Sequence, residues 1–284
     1  LWEYAAANGK LHAFRSRADL IQLLAEVPPD IVERFFFHGP SGSGKTYFMT
    51  EVVLPVYKKY CPGCTRGFAS QNSAARLIGG ATFHYMGGLT RQQAMTGKKP
   101  SFEALRKAKL LWAHLVLAMI DEASLCDPQL LAVVSDRACW GRQQQHRQQR
   151  EAFRDIPFGN IIAQFMMGDF MQLNPVLSHT LLEAFLIGTD ITVPRVPTYE
   201  NLEAKERREK EALDKAGWKI FDMFAKNVVL FKGSHRFKPG DPLPELLNIM
   251  RTIGGTTVPQ ELRARIEVRI RLPYSVEDRD KPTY

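Results

Sequence analysis

The chain has 284 residues, of which 45% are hydrophobic and 24% charged, so it can bury one large core or two small ones. Its formal net charge of +8 makes a polyanion a candidate partner, although a basic balance alone identifies none. No apolar run is long enough to cross a bilayer, and four cysteines are too few for a disulfide framework, so we expect an intracellular protein in a reducing compartment.

The hydrophobic pattern alternates short buried strands with helices. A helical pattern over residues 19–27 ends at a Pro-Pro pair, and a buried strand is predicted over 31–37. Further strands are predicted over 66–70, 115–120, 161–167 and 228–231, and helices over 47–60, 74–78, 127–139 and 243–253. This alternation predicts an α/β fold, with a parallel sheet covered by helices on both faces.

Three segments carry charge or amide groups instead of an apolar pattern. Residues 91–109 are basic and irregular, and they are either a surface that follows a nucleic-acid strand or a solvated loop. Residues 143–150 consist mainly of Gln and Arg, which is typical of a solvated helix or a loop. Residues 200–215 are densely charged and predict an exposed helix or an insertion.

A glycine-rich stretch, residues 39–46, lies between the first strand and the helix at 47–60. It fits G-x-x-x-x-G-K-[ST], whose backbone N–H groups surround phosphate oxygens in nucleotide hydrolases. Lys45 would bring a positive charge to the β and γ phosphates, and the Thr46 hydroxyl is a suitable ligand for Mg²⁺. A turn that binds nothing is the alternative, but the flanking strand and helix are the context that the motif needs. The expected phosphate-binding residues also include Gly39, Pro40, Ser41, Gly42, Ser43 and Gly44.

Polar side chains follow two of the later strands. Asp121 and Glu122 end the strand at 115–120, where an acid pair would lie beside the phosphate loop in an open parallel sheet. Asp121 would then hold Mg²⁺ and Glu122 would polarise the attacking water. Gln172 follows the strand at 161–167 and either reaches the γ-phosphate or is a satisfied side chain at a strand exit. The residues alone leave both readings open.

These stretches, in this order, resemble the PIF-type DNA helicases, the RecD-like branch of superfamily one. The resemblance rests on residues 36–46, on Ile120-Asp-Glu-Ala-Ser124 and on Gly168-Asp-Phe-Met-Gln-Leu-Asn-Pro-Val176. The last string is quite specific to that family. Residues 68–84 are similar to the family's DNA-contacting motif, and residues 230–254 to the segment whose first arginine reaches the γ-phosphate.

The resemblance implies an ATP-driven, 5′-to-3′ DNA helicase with RecA-like P-loop lobes. Such an enzyme uses ATP and Mg²⁺ and acts on single-stranded DNA and duplex junctions, in repair, recombination or telomere maintenance. The roles it implies are phosphate and Mg²⁺ binding for Lys45 and Thr46, metal binding for Asp121, the catalytic base for Glu122, the γ-phosphate sensor for Gln172, the arginine finger for Arg236, and strand-backbone contacts for Thr82 and His84.

The resemblance also implies a domain division and several departures from the family pattern. Residues 1–30 would be a helical lead-in, residues 31–227 the first RecA-like lobe, and residues 228–284 an incomplete start of the second. The later motifs of the family are not evident and the chain begins with Leu1, so we expect a piece of a longer protein that unwinds poorly alone. Tyr85 stands where serine usually follows His84, so we expect the strand contacts to differ.

Two other functional classes stay open at this point. A P-loop ATPase that moves protein shares the phosphate loop and the acid pair but does not explain residues 168–176. A non-catalytic, nucleic-acid-binding fragment is the other, although Lys45, Asp121, Glu122 and Gln172 are all intact. For a helicase we expect the nucleus or the mitochondrion in a eukaryote, and otherwise the cytoplasm.

Overall fold

The computed structural model describes residues 2–15, 17–26, 31–89, 101–143, 157–170, 178–183 and 203–233, with shorter stretches between residues 235 and 264. Residues 1–38 and 45–230 belong to one unit. Residues 39–44 group with the residues from 231 onward in a second unit. All strands and all long helices described below belong to the first unit.

Parallel strands form the centre of the first unit. Their bounds are Glu33–His38 (β1), Thr65–Ala69 (β2), Ala81–Thr82 (β3), Leu117–Asp121 (β4), Ala163–Gly168 (β5) and Val228–Leu230 (β6). They pair side by side in the order β3-β2-β4-β5-β1-β6. Five of them confirm strands predicted from the sequence to within two residues, and the parallel sheet confirms the predicted α/β class.

Consecutive phenylalanines in β1 show why the sheet is covered on both faces. Phe36 packs edge-on against Phe221, with ring centroids 5.5 Å apart. Phe37, which points to the opposite face because side chains alternate along a strand, lies 5.7 Å from Phe48 in the chain that follows the phosphate loop. A strand that is apolar on both faces needs helices on both sides, as the continuous run at 31–37 predicts.

The α-helices supply those two layers. Their bounds are Trp2–Ala7 (α1), Arg17–Glu26 (α2), Lys45–Tyr47 (α3), Leu54–Tyr60 (α4), Asn72–Leu77 (α5), Phe83–Gly87 (α6), Phe102–Trp112 (α7), Pro128–Gln143 (α8) and Ala204–Ala225 (α9). Short 3-10 turns lie at Leu11–Arg15, Ala123–Leu125 and Pro157–Gly159. Within the described ranges, no helix has the length and apolar character that a membrane crossing requires.

The helix predicted over 47–60 begins two residues earlier and changes its winding. A π-helical segment, Phe48–Val53, joins α3 to α4, and the Leu54 N–H bonds to the Met49 carbonyl five residues back. Pro55, at the start of α4, has no N–H and crowds the preceding turn. A wider turn before it accommodates both effects, so the proline accounts for the change in winding.

Two charged segments are more regular than the sequence suggested. Part of the basic stretch 91–109 forms α7, because Ser101 caps the helix by accepting a hydrogen bond from the Ala104 N–H, and because Ala108 and Trp112 are buried. The charged stretch 200–215 is the first half of α9, whose second half buries Phe221 and Phe224 against the sheet. Residues 90–100 and 144–156, and most of the helix predicted at 243–253, lie outside the described residues.

The last described strand lies directly after the predicted end of the first lobe. The first lobe is predicted to end at residue 227, and β6, which begins at Val228, pairs in parallel with β1 in the same sheet. The first unit therefore extends through Leu230. The run Val228–Leu230 is too short to show from sequence which sheet it joins.

Candidate active site

The expected metal-binding residues meet at the carboxyl edge of the sheet. Thr46 lies in α3, shortly after β1, and Asp121 is the last residue of β4. The Thr46 hydroxyl donates to the Asp121 carboxylate, with Oγ1 and Oδ2 3.3 Å apart. Residues 75 positions apart in the chain thus place two hard oxygen ligands side by side. The structure brings this predicted pair together.

Burial controls the acidity of Asp121. Desolvation raises the pKa of its carboxyl above the ordinary value. Three contacts oppose this effect and lower the pKa: the backbone N–H of Glu122, the Thr46 hydroxyl and the positive charge of Lys45. A buried carboxylate near a lysine and a hydroxyl is an environment in which a bound cation would further favour the ionised form.

Glu122 follows Asp121 in an unusual backbone conformation. Its φ and ψ are 54° and 49°, in the left-handed region that non-glycine residues seldom occupy. Its N–H donates to Asp121 Oδ1 at 2.9 Å, so the turn also holds the neighbouring carboxylate. Left-handed backbone costs about 1 kcal/mol for such a residue, and strain of this kind clusters at functional sites. The sequence predicted the role of Glu122 but not this geometry.

The phosphate loop itself belongs to the second unit, where it folds against the chain after Phe231. Gly42 and Gly44 have φ values of 77° and 90°, which a side chain would strain. A Cβ on Gly39 would lie 2.6 Å from the Phe231 carbonyl oxygen, so only glycine lets the two segments approach this closely. The His235 N–H donates to the Gly42 carbonyl at 2.7 Å.

One polar atom of this loop is left without a partner. Among the described residues, the buried hydroxyl of Ser43 has no hydrogen-bond partner, although the Ser43 N–H donates to the Pro40 carbonyl at 3.1 Å. A buried hydroxyl without a partner is costly, and a phosphate oxygen would satisfy it. The motif predicts such a ligand at this loop.

Two expected catalytic residues cannot be located. Gln172 and Arg236 both lie outside the described residues. Their neighbours are described in part: Phe170 follows β5, and His235 precedes Arg236 and bonds to the phosphate loop. Their roles remain predictions.

The expected strand-contacting residues lie at one side of the sheet. Thr82 ends β3 and caps α6, its Oγ1 accepting a hydrogen bond from the Tyr85 N–H at 3.3 Å. A hydroxyl that accepts one hydrogen bond can also donate one, and no described residue accepts one from Thr82. His84 is half-buried in the first turn of the same helix. Three strands separate β3 from β1, which puts about 19 Å between the two strand ends.

A buried cluster that was not predicted from the sequence links the segment after β4 to the segment after β5. Asp127 caps α8 by accepting from the Gln129 N–H at 2.7 Å. His179 is buried beside it, and Thr180 and Glu183 form a reciprocal capping box, with bonds of 2.7 and 3.0 Å. Burial raises the pKa of Asp127 and lowers that of His179. The T-x-x-E spacing after residue 179 was the available signal.

Known proteins resemble this chain in sequence. The model of the PIF1-like helicase family matches residues 20–226, more than half of the chain. The ATP-dependent DNA helicase Pif1 of Bdellovibrio bacteriovorus is 30% identical over 151 residues, which cover 52% of this chain and 30% of that protein. The ATP-dependent DNA helicase PIF1 of Emericella nidulans is 32% identical over 152 residues, 51% of this chain and 18% of that protein.

A solved structure shares the fold. A crystal structure of the Pif1 helicase from Candida albicans superposes with a TM-score of 0.53 at 22% identity, covering 90% of this chain and 46% of that one. The chain thus spans less than a third of the two curated relatives and about half of the solved one. The parallel sheet and its helices are those of a RecA-like P-loop NTPase. The chain belongs to the PIF1-like helicase family.

Proposed function

We propose that the protein is an ATP-dependent DNA helicase that couples ATP hydrolysis to 5′-to-3′ movement along a single strand and to duplex unwinding. The observation that carries the proposal is the hydrogen bond between Thr46 and Asp121. Thr46 directly follows Lys45 in the phosphate-binding motif. The relatives at about 30% identity are named ATP-dependent DNA helicases. Family membership favours this function over a P-loop motor that acts on protein.

The donor groups fit Mg²⁺. A hydroxyl and a carboxylate oxygen are ligands that this hard cation prefers, and Mg²⁺ usually takes its other ligands from phosphates and water. Bound Mg²⁺ would neutralise the charge that develops on the phosphates during transfer. In the proposal, Thr46 and Asp121 hold the ion.

The protein's own residues would perform the remaining steps. Lys45 and the backbone of residues 39–44 bind the phosphates, and Glu122 orients the attacking water and accepts its proton. Gln172 senses the γ-phosphate and Arg236 stabilises the charge of the transition state. His235, the residue before Arg236 in the sequence, donates its N–H to the Gly42 carbonyl of the phosphate loop.

Single-stranded DNA and duplex junctions are the proposed partners. Thr82 and His84 can donate hydrogen bonds to phosphate oxygens, which positions a strand without reading its bases. We place the protein in DNA repair, recombination or telomere maintenance inside the cell, in the nucleus or mitochondrion of a eukaryote or the cytoplasm of a prokaryote. The described cysteines are not joined by disulfides.

Nucleotide binding tests the first half of the proposal. We expect the chain to bind fluorescent ADP in the presence of Mg²⁺, and Lys45→Ala to weaken that binding about 10- to 100-fold, because a charge-assisted contact is lost. Lys58→Ala, an exposed lysine in α4, is the matched control and should bind as the parent does. Equal loss in both variants, or no loss in either, would contradict the assignment.

A further inference from the structure

We propose that the ring of Tyr85, backed by the ammonium group of Lys107, is a platform on which a base of the bound single strand stacks. The inference rests on the proposed function and deepens it, because it adds a base contact beside the expected backbone contacts of Thr82 and His84. Its starting point is an exposed aromatic ring directly after His84, with a cation over one face.

Buried side chains and an N-terminal cap hold the helix that carries Tyr85. Phe83 and Met86 are fully buried, and the Thr82 hydroxyl caps the first turn of α6. The Trp112 indole N–H donates to the Met86 carbonyl at 3.0 Å, which ties α6 to α7. Tyr85 lies between these anchors with 52% of its surface exposed. The backbone under the ring is therefore held in place before any ligand arrives, which lowers the entropic cost of stacking.

Lys107 gives the ring a charged side. Its Nζ lies 4.2 Å from the centroid of the Tyr85 ring, within the range of a cation–π interaction. The same ammonium group can attract the phosphate next to a stacked base. Lys107 belongs to α7, whose buried residues Ala108 and Trp112 keep its position fixed. Ring and cation thus form one preorganised unit for a base with its phosphate.

The exposed side of α7 also carries an aromatic ring and basic side chains. Phe102, at the start of the helix, exposes 82% of its surface, and Arg106 and Lys109 are also exposed. Glu103 is the only acidic residue of the helix. A basic surface with aromatic rings matches a single strand, whose bases stack on aromatic faces while its phosphates seek positive charge. These features favour nucleic acid as the occupant.

A structural role for the Tyr85–Lys107 contact predicts a different outcome. If the contact served to join α6 and α7, removing the ring would loosen the two helices. The Trp112–Met86 hydrogen bond already joins them, and Phe83, Met86 and Trp112 lie in one buried core. Removing the ring should therefore leave the fold unchanged and affect the bound strand alone.

Strands with and without bases separate stacking from charge. The 284-residue chain would be titrated with fluorescent dT20 and with an abasic strand of equal length, by fluorescence anisotropy. We expect the parent to bind dT20 about tenfold more tightly than the abasic strand, because stacking on an aromatic ring contributes that much per base. Tyr85→Ala should remove this preference and leave abasic affinity unchanged, whereas Tyr85→Phe should keep it.

Two further variants complete the comparison. Lys107→Met should weaken binding of both strands, because it removes a cation but keeps the stem. Val56→Ala, an exposed apolar residue of α4, is the control and should change neither affinity. Tyr85→Ala that lowers both affinities equally, or neither, overturns the platform while the helicase proposal stands. A parent chain that binds neither strand overturns the proposed function itself.

A crosslinking experiment on the parent chain does not depend on a folded variant. Single 5-iodouracil substitutions along dT20 form photo-adducts with stacked aromatic rings, and mass spectrometry identifies the residue. We expect an adduct on Tyr85 from one or two adjacent positions of the strand. Adducts on other residues alone, at saturating strand, would overturn the proposal.

Discussion

The Thr46 hydroxyl donates to the Asp121 carboxylate across 3.3 Å, joining the helix after the phosphate loop to the end of β4. Both groups are oxygen ligands, and burial raises the pKa of the carboxyl. A divalent cation that entered here would find its ligands already adjacent, and its charge would favour the ionised carboxylate. The fold thus places the two proposed metal ligands side by side.

Replacing Thr46 tests this relationship. Thr46→Ala removes one ligand, and we expect it to weaken Mg²⁺-dependent ADP binding about tenfold. Thr46→Ser keeps the hydroxyl and should bind nearly as the parent does. The measurement is a titration of fluorescent ADP at several Mg²⁺ concentrations. An unchanged Mg²⁺ dependence in Thr46→Ala would show that the hydroxyl is not a ligand.

Replacing Gly80 tests binding of single-stranded DNA separately from binding of nucleotide. A Cβ at this position would lie 2.0 Å from the Gly67 carbonyl oxygen, so Gly80→Ala must push the start of β3 away from β2. Because β3 ends at Thr82, we expect weaker binding of dT20 but unchanged binding of ADP about 19 Å away.

Gly79→Asn is the control for this variant. Among the described residues other than its chain neighbours, no atom lies within 4 Å of a Cβ on Gly79, and asparagine tolerates its φ of 61°. This variant should bind dT20 as the parent does. If Gly80→Ala also kept full strand affinity, the position of β3 would not matter for the strand.

Arg142 is a buried cation that stabilises the chain around β4 and β5. Its guanidinium donates to the carbonyl oxygens of Trp112, Leu115 and Asn160, at 3.3, 3.0 and 3.4 Å. Burial lowers the pKa of Arg142 to about 10. We expect Arg142→Met to reduce the free energy of unfolding by about 3 kcal/mol, because three carbonyl groups lose their donor.

Urea unfolding measures this loss. Arg142→Lys keeps the charge but lacks the planar fork that reaches several carbonyls, so it should be intermediate in stability. An Arg142→Met protein as stable as the parent would mean that the three bonds contribute nothing net.

His179 should make the fold sensitive to acid. Burial lowers the pKa of His179 in the folded protein, although Glu183 and Asp127 oppose the effect. The unfolded chain takes up a proton near pH 6.5, and the folded chain takes it up only at lower pH. The unfolded state therefore binds more protons in that window, and stability falls as the pH falls through it.

The difference between parent and variant is the measurement. Thermal unfolding at pH 7.5 and 5.5 should show a larger loss for the parent than for His179→Gln, which cannot titrate. Asp127 has the opposite sign at lower pH, because burial raises its pKa. Equal losses in both proteins would remove His179 from the account.

Much of the sheet could be predicted from the sequence, because a short, continuous apolar run is typical of a parallel strand that helices cover on both faces. The strands that end at His38, Asp121 and Gly168 were predicted in this way. The adjacency of Thr46 and Asp121 was also expected, since the carboxyl ends of parallel strands share one edge.

Features that depend on single hydrogen bonds or on tertiary neighbours were not predictable. The helix α7 depends on the Ser101 cap within a basic stretch, and the π-helical turn depends on Pro55. The left-handed backbone of Glu122 occurs in a turn that contains no glycine. The buried position of Arg142 depends on partners that are distant in the chain. Periodicity carries no record of such contacts.

Strand-stimulated ATP turnover tests the central claim most directly. ATP hydrolysis by the 284-residue chain would be measured with and without oligo-dT, beside Lys45→Ala and the Lys58→Ala control. We expect turnover that rises with the strand and is abolished by Lys45→Ala but not by Lys58→Ala. A rate of ATP hydrolysis that is unchanged by oligo-dT, or that persists in Lys45→Ala, would contradict an ATP-driven motor on single-stranded DNA.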